Sequence, residues 1–154
     1  MAKSPRWTFD DLAVGQTFPL GPKHVTAEEI IAFASEFDMQ PMHLDAEAGK
    51  ASLLGGLAAS GWHTCSMFMR MACDALLLDS TSQGAPGVDY ARWRRPVFAG
   101  DTLSGEAEVI ALRRSEKRPQ LGYVTFRHRL RNQHGEVVFE LEHAGMFLAR
   151  EAVA

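Results

Sequence analysis

The chain has 154 residues, about one domain at the usual ~100–200 residues per domain, and its 46% hydrophobic content can supply one sizeable core. With 23% charged residues, 13 Gly and 7 Pro it is unlike a disordered or fibrous chain, and no apolar run approaches the ~18 residues needed to span a bilayer. A net charge of −3 provides no general basic field, which argues against nucleic acid as a partner.

Residues 1–7 show no continuous apolar stretch followed by a small-residue cleavage site, so no secretory signal is expected and the cytoplasm is the default compartment. An extended segment is expected around residues 16–25. Thr26 and Glu29 have capping-box spacing, which predicts a helix through about Phe37 with Ile30, Ile31, Phe33 and Ala34 apolar. Pro41 disfavours helical geometry at Gln40 and has no N–H to donate, so the chain should turn sharply through Asp38-Met39-Gln40-Pro41-Met42-His43.

Ser60 is a good N-cap for a second helix to about Leu78, with Trp62, Cys65, Ser66, Met69, Cys73, Leu76 and Leu77 on one broad face. His63, Arg70 and Asp74 leave only a narrow polar stripe, as expected of a helix buried against a sheet. The two cysteines, Cys65 and Cys73, lie eight residues apart in this helix, a rise of roughly 12 Å that excludes a disulfide. The turn-rich stretch from Asp79 to Gly87 reads as a connection within one domain.

Beyond it the pattern changes to period two. Residues 88–97 are a strand of broken alternation; Leu103, Ala107 and Val109 alternate with Thr102, Ser104, Glu106 and Glu108; and Val124, Phe126, His128 and Leu130 alternate with Thr125, Arg127, Arg129 and Arg131. Val137, Phe139 and Leu141 follow the Asn132-Gln133-His134-Gly135 turn, giving a hairpin whose outer face can pair Arg with Glu140 and Glu142. Helices in the first half and strands in the second imply an α+β domain with a helix lying on an antiparallel sheet.

Two features of this pattern suit chemistry. Asp38 and His43 are five residues apart across a Pro-containing turn, where a carboxylate and an imidazole can face one cleft and share acid–base work. The spacing alone equally fits a helix-end cap and a surface histidine. Gly61 opens the buried helix, so its amide lies at the positive end of the helix dipole, and its lack of a Cβ allows a ligand carbonyl to approach. An ordinary N-cap with a glycine present for packing is the other reading.

Three blocks in order carry a family resemblance: Asp38-Met39-Gln40-Pro41-Met42-His43-Leu44-Asp45; Gly55-Gly56-Leu57-Ala58-Ala59-Ser60-Gly61-Trp62-His63; and Trp93-Arg94-Arg95-Pro96-Val97-Phe98-Ala99-Gly100-Asp101-Thr102-Leu103. Over residues 8–149 the chain resembles the MaoC-like acyl dehydratases, which include the (R)-specific enoyl-CoA hydratases. The resemblance implies a single hotdog domain, an antiparallel β-sheet wrapped around a long central α-helix. It implies reversible hydration of a 2-enoyl-CoA thioester, within fatty-acid-type metabolism, with coenzyme A as part of the substrate and no separate cofactor or metal. Asp38 and His43 would be the catalytic dyad, Gly61 the amide that polarises the thioester carbonyl, and Ser66 a serine supporting the dyad. Trp93 and Arg94 resemble the family's strand near the site. The family motif has Gly before the Asp and Asn two places after it; here Phe37 and Gln40 stand there, which alters the support of the dyad or the shape of the acyl pocket. Single-domain members join sheets edge to edge as homodimers, which can assemble further, and this places the site at the subunit interface.

Other groups have weaker roles. The basic loop at residues 113–118 is a candidate for coenzyme A phosphates, although such runs usually only solvate a surface. His24, His63, His128, His134 and His143 show no metal-ligand spacing, and no Gly-x-Ser-x-Gly elbow, Walker loop or dinucleotide fingerprint is present. Met67, Met69 and Met71 suit adaptable core or acyl-tunnel lining. The expected function is a hydratase or dehydratase; the rivals are a hotdog thioesterase and a non-catalytic acyl-thioester binder.

Overall fold

The computed structural model describes residues 5–154; residues 1–4, part of the stretch read above for a leader, lie outside the described residues. Five strands, β1 (Thr17–His24), β2 (Tyr90–Trp93), β3 (Thr102–Arg114), β4 (Leu121–Arg131) and β5 (Val137–Leu148), form one antiparallel sheet in the order β1-β3-β4-β5-β2. Alternation sets its two faces. Leu103, Ala107 and Val109 of β3 and Val124, Phe126, His128 and Leu130 of β4 point inward, and the intervening polar residues point out.

The outer face bears the expected charge pairing. Arg127 is opposite Glu142 and Arg129 opposite Glu140 in the β4–β5 register, with N–O separations of 3.4 and 3.5 Å. These half-exposed pairs fix register more than they stabilise, since such contacts contribute only about 0–1 kcal/mol each.

Four helices accompany the sheet, α1 (Ala27–Phe37), α2 (Pro41–Leu44), α3 (Ala46–Ala51) and α4 (Gly61–Ala75), of which α4 packs on its inner face. The Thr26/Glu29 capping box is formed at the start of α1. The long helix α4 buries Met67, Phe68, Met71 and Ala72 in a single core with Phe126, Leu130, Phe139 and Phe147 of the sheet. This is the hotdog arrangement, a sheet curled around one central helix.

Some boundaries differ from expectation. The helix expected to reach Leu78 ends at Ala75, where Leu76 leaves helical geometry at φ −143°, and a 3₁₀ turn follows over Leu77–Asp79. The strand expected over residues 88–97 is ordered as one only at Tyr90–Trp93. The sharp turn after Asp38 is immediately followed by α2: Gln40 is extended, as its proline neighbour requires, but Pro41 then occupies the first helical position, where a missing N–H costs nothing. Asp45 caps α3 by accepting from the Ala48 amide at 2.8 Å. His63, expected on a polar stripe, is buried: it stacks on Phe33 at 4.8 Å and faces Glu29 at 3.5 Å. Among the described residues no helix is long and apolar enough to cross a membrane.

Candidate active site

The Pro41 start to α2 has a direct chemical consequence. It places His43 on the buried side of a one-turn helix, where its ring is 6% exposed and Nδ1 lies 2.7 Å from the Ala58 carbonyl oxygen. A carbonyl oxygen only accepts, so Nδ1 carries a proton and Nε2 is the nitrogen presented to the cleft. Asp38, the C-cap of α1, brings Oδ2 to 3.7 Å from this Nε2. The separation is too long for a good direct hydrogen bond and lets one small molecule touch both groups.

Two donors hold the Asp38 carboxylate. Ser60 Oγ donates to Oδ2 at 2.6 Å, and Gln40 Nε2 donates to Oδ1 at 2.8 Å. The Ser60 hydroxyl, then the Gln40 amide, and to a lesser degree the charge of His43, hold the Asp38 carboxyl below its ordinary range against the opposing effect of burial. Asp38 is therefore an anion at neutral pH. Gln40, standing where the resemblance has Asn, keeps the amide donor on the carboxylate.

Ser60 does two jobs: its Oγ also accepts from the Trp62 amide at 3.2 Å, capping α4. The sequence marks it only as a cap. Its second role was hidden because Asp38 is 22 residues away and meets it only after α2 and α3 fold back.

Gly61, the first residue of α4, lines the same cleft as Asp38, Gln40, His43, Trp93 and Arg94, a space of about 410 Å³. First-turn amides have no intrahelical carbonyl partner and sit at the positive helix end. The need for glycine comes from Trp93. A Cβ on Gly61 would lie 2.6 Å from Trp93 Cε2, and the indole N–H donates to the Gly61 carbonyl at 2.8 Å. Arg94 lines the cleft while its guanidinium pairs with Glu140 at 2.9 Å, so it is anchored to the sheet.

Ser66 is not brought to this cleft. It is exposed on α4, its hydroxyl donates back to the Trp62 carbonyl at 2.9 Å, and it lines a separate groove with His63 and Arg70. Five residues after Gly61 a helix has turned about 140° beyond a full revolution, which faces Ser66 away from the dyad. The loop at residues 113–118 is also remote from the cleft lining; Arg113 stacks on Tyr123 and Arg114 pairs with Asp10.

A second, apolar cavity of about 430 Å³ lies beside α4 between helix and sheet, with Cys65, Phe68, Met69, Phe126, His128 and His143 in its wall. Met69 faces it, whereas Met67 and Met71 are core. Trp93 lines the cleft: its indole covers Gly61 and also adjoins the Cys65 thiol and the Phe139 ring.

Comparison with known proteins places this architecture. Residues 11–129 match the model of the MaoC like domain. A MaoC-like dehydratase from Rhodospirillum rubrum superimposes with a TM-score of 0.84 at 40% identity, covering 93% of this chain and 97% of that one. The (R)-hydratase from A. caviae involved in PHA biosynthesis superimposes with a TM-score of 0.71 at 29% identity, covering 89% of this chain and 97% of that one. The uncharacterized protein YdeM of Bacillus subtilis is 29% identical over 133 residues, 86% of this chain and 93% of that protein. With the family model spanning most of the sequence and the hotdog fold shared throughout, the chain belongs to the MaoC-like domain family.

Proposed function

We propose that the protein catalyses the reversible hydration of a 2-enoyl thioester to a 3-hydroxyacyl thioester, with coenzyme A as the carrier. The observation that carries this reading is the convergence of Asp38, His43 and the Gly61 end of α4 on one cleft. The (R)-hydratase named above shares the fold and supports the reaction class.

The geometry suits each step. A water accommodated between Asp38 Oδ2 and His43 Nε2 donates to both and turns a lone pair toward the substrate's β-carbon. As the C–O bond forms, the π electrons move onto the thioester oxygen as an enolate, and the first-turn amide of Gly61 stabilises that charge. The water's proton passes to the dyad, which then delivers it to the α-carbon as the carbonyl re-forms. Asp38 remains the anionic partner throughout, steadied by Ser60 and Gln40, and His43, oriented by Ala58, is the group that exchanges the proton.

The reading includes a homodimer joined at the open edge of β2. Among the described residues that strand pairs only with β5, and Trp93, Trp62 and Val88 expose apolar surface beside it. Assays with a panel of 2-enoyl-CoA thioesters, following enoyl absorbance and free thiol together, test the function. Loss of the enoyl signal without thiol release, abolished in Asp38→Asn, is expected; thiol release would replace hydration with thioester hydrolysis.

A further inference from the structure

The floor of the dyad cleft is a ribbon of backbone with short side chains. Residues 57–59 run beside residues 97–99: the Ala59 amide donates to the Val97 carbonyl at 2.8 Å, the Ala99 amide donates to the Leu57 carbonyl at 3.1 Å, and Ala58 bridges Phe98 in antiparallel fashion. Ala58, Ala59 and Val97 of this ribbon, with His43 and with Thr64 near the start of α4, are the buried part of the lining, whereas Trp62, Trp93 and Arg95 form its exposed rim. Ala59 and Val97 also belong to the hydrophobic core, so packed side chains lie behind the floor.

We propose that the cleft seats a short acyl chain only, of crotonyl to hexenoyl size, and draws no binding from carbons beyond it, so that the substrate class is a short-chain 2-enoyl thioester. The inference rests on the hydration reading for the thioester end and adds the length of the acyl end. His43 sets the depth: its Nδ1 is bonded to the Ala58 carbonyl at 2.7 Å, so the imidazole stands on the floor itself. The β-carbon that water attacks must come to the dyad, and therefore close to that floor, which leaves the following carbons no depth to enter. They turn outward past Trp62 and Trp93, which are 64% and 45% exposed; the first carbons find aromatic surface there, and those beyond them meet water.

The apolar cavity beside α4, in whose wall His128 and His143 stack with ring centroids 5.1 Å apart, does not extend the cleft. Among the described residues none lines both spaces. Phe139 is fully buried and packs its ring against Trp93 of the cleft, with centroids 6.5 Å apart, and against Phe68 of the cavity wall, with centroids 5.7 Å apart. A path from one of these residues to the other would have to displace core side chains held at the density of an organic crystal.

The test is the dependence of wild-type kcat/KM on chain length across crotonyl-, 2-hexenoyl-, 2-octenoyl- and 2-decenoyl-CoA. A chain that enters an apolar cavity gains about fourfold for each CH₂ it buries, so a buried tunnel would raise kcat/KM by more than about a hundredfold from hexenoyl to decenoyl. For a chain that leaves the cleft at its rim, the values from hexenoyl to decenoyl should stay within about threefold of one another or fall, because the added carbons remain in water. A rise beyond threefold overturns the proposal. If no thioester in the panel is hydrated, calorimetry with butyryl-, hexanoyl- and decanoyl-CoA separates the two readings. Affinity that is level within about threefold from hexanoyl to decanoyl, or that falls, sustains the short seat while the hydration reading fails. Affinity that climbs beyond that, or no binding of any of the three, overturns the seat.

Discussion

The Ser60 hydroxyl donates to Asp38 Oδ2 at 2.6 Å and in the same position accepts the Trp62 amide, so one oxygen atom caps the central helix and fixes the carboxylate of the cleft. Ser60→Ala removes both contacts. Loss of the cap should cost about 1 kcal/mol in denaturant unfolding. Loss of the donor raises the pKa of Asp38, whose carboxylate is lost as pH falls through its folded value, so the acidic limb of the rate profile moves to higher pH. A profile that keeps its wild-type position would show that Asp38 is not the titrating base.

His43→Ala takes away the imidazole that faces Asp38 in the cleft, and turnover should drop at least ~100-fold, the lower range for a lost general acid or base. The measurement is steady-state hydration at saturating substrate; a rate near wild type would dismiss the dyad.

Gly61→Ala drives a methyl into Trp93, with 2.6 Å available to the nearest ring atom. Stability should fall by about 1–3 kcal/mol from the forced shift, with a loss of kcat/KM. Trp93→Leu clears the space, so thermodynamic coupling between the two substitutions should be strong. Additive effects in the double variant would mean that the indole is not what demands glycine.

Buried histidines give the protein a pH-dependent stability. His128, His143 and His63 all have lowered folded pKa values, caused chiefly by burial. Their unfolded forms bind more protons below about 6.5, so unfolding free energy is fully present above that pH and declines as the medium is acidified toward the folded value of about 3 for His128. Chemical denaturation between pH 7 and 4.5, above the range of most carboxylates, isolates this effect. His128→Phe should flatten the slope; an unchanged slope would assign the acid sensitivity elsewhere.

Much of this was visible in the sequence, for identifiable reasons. The capping box at Thr26, the period-two runs of β3 and β4 and the apolar girth of α4 are local patterns, and each forms where its pattern lies. Asp38, His43 and Gly61 could be singled out because a proline turn and a helix start are also local. Ser60's bond to Asp38 and the Trp93 contact that excludes a side chain at Gly61 were not legible, since both join residues separated by 22 and 32 positions. Ser66 was misplaced for the opposite reason: sequence proximity to Gly61 suggested a shared site that helical rotation denies. The stack of His128 on His143 needed the β4–β5 register, which places Phe126 across from His143 and His128 across from Leu141.

Trp93 lies at the end of a four-residue strand that borders the sheet, supported by β5 on one side only. The wall of the cleft that covers Gly61 is thus hung on backbone paired along one edge. Whatever lays its own backbone along that open border sets the angle of the indole over Gly61, and with it the shape of the cleft wall near Asp38 and His43. The shape of the cleft then becomes a property of the border, adjustable by sequence changes that touch neither Asp38 nor His43.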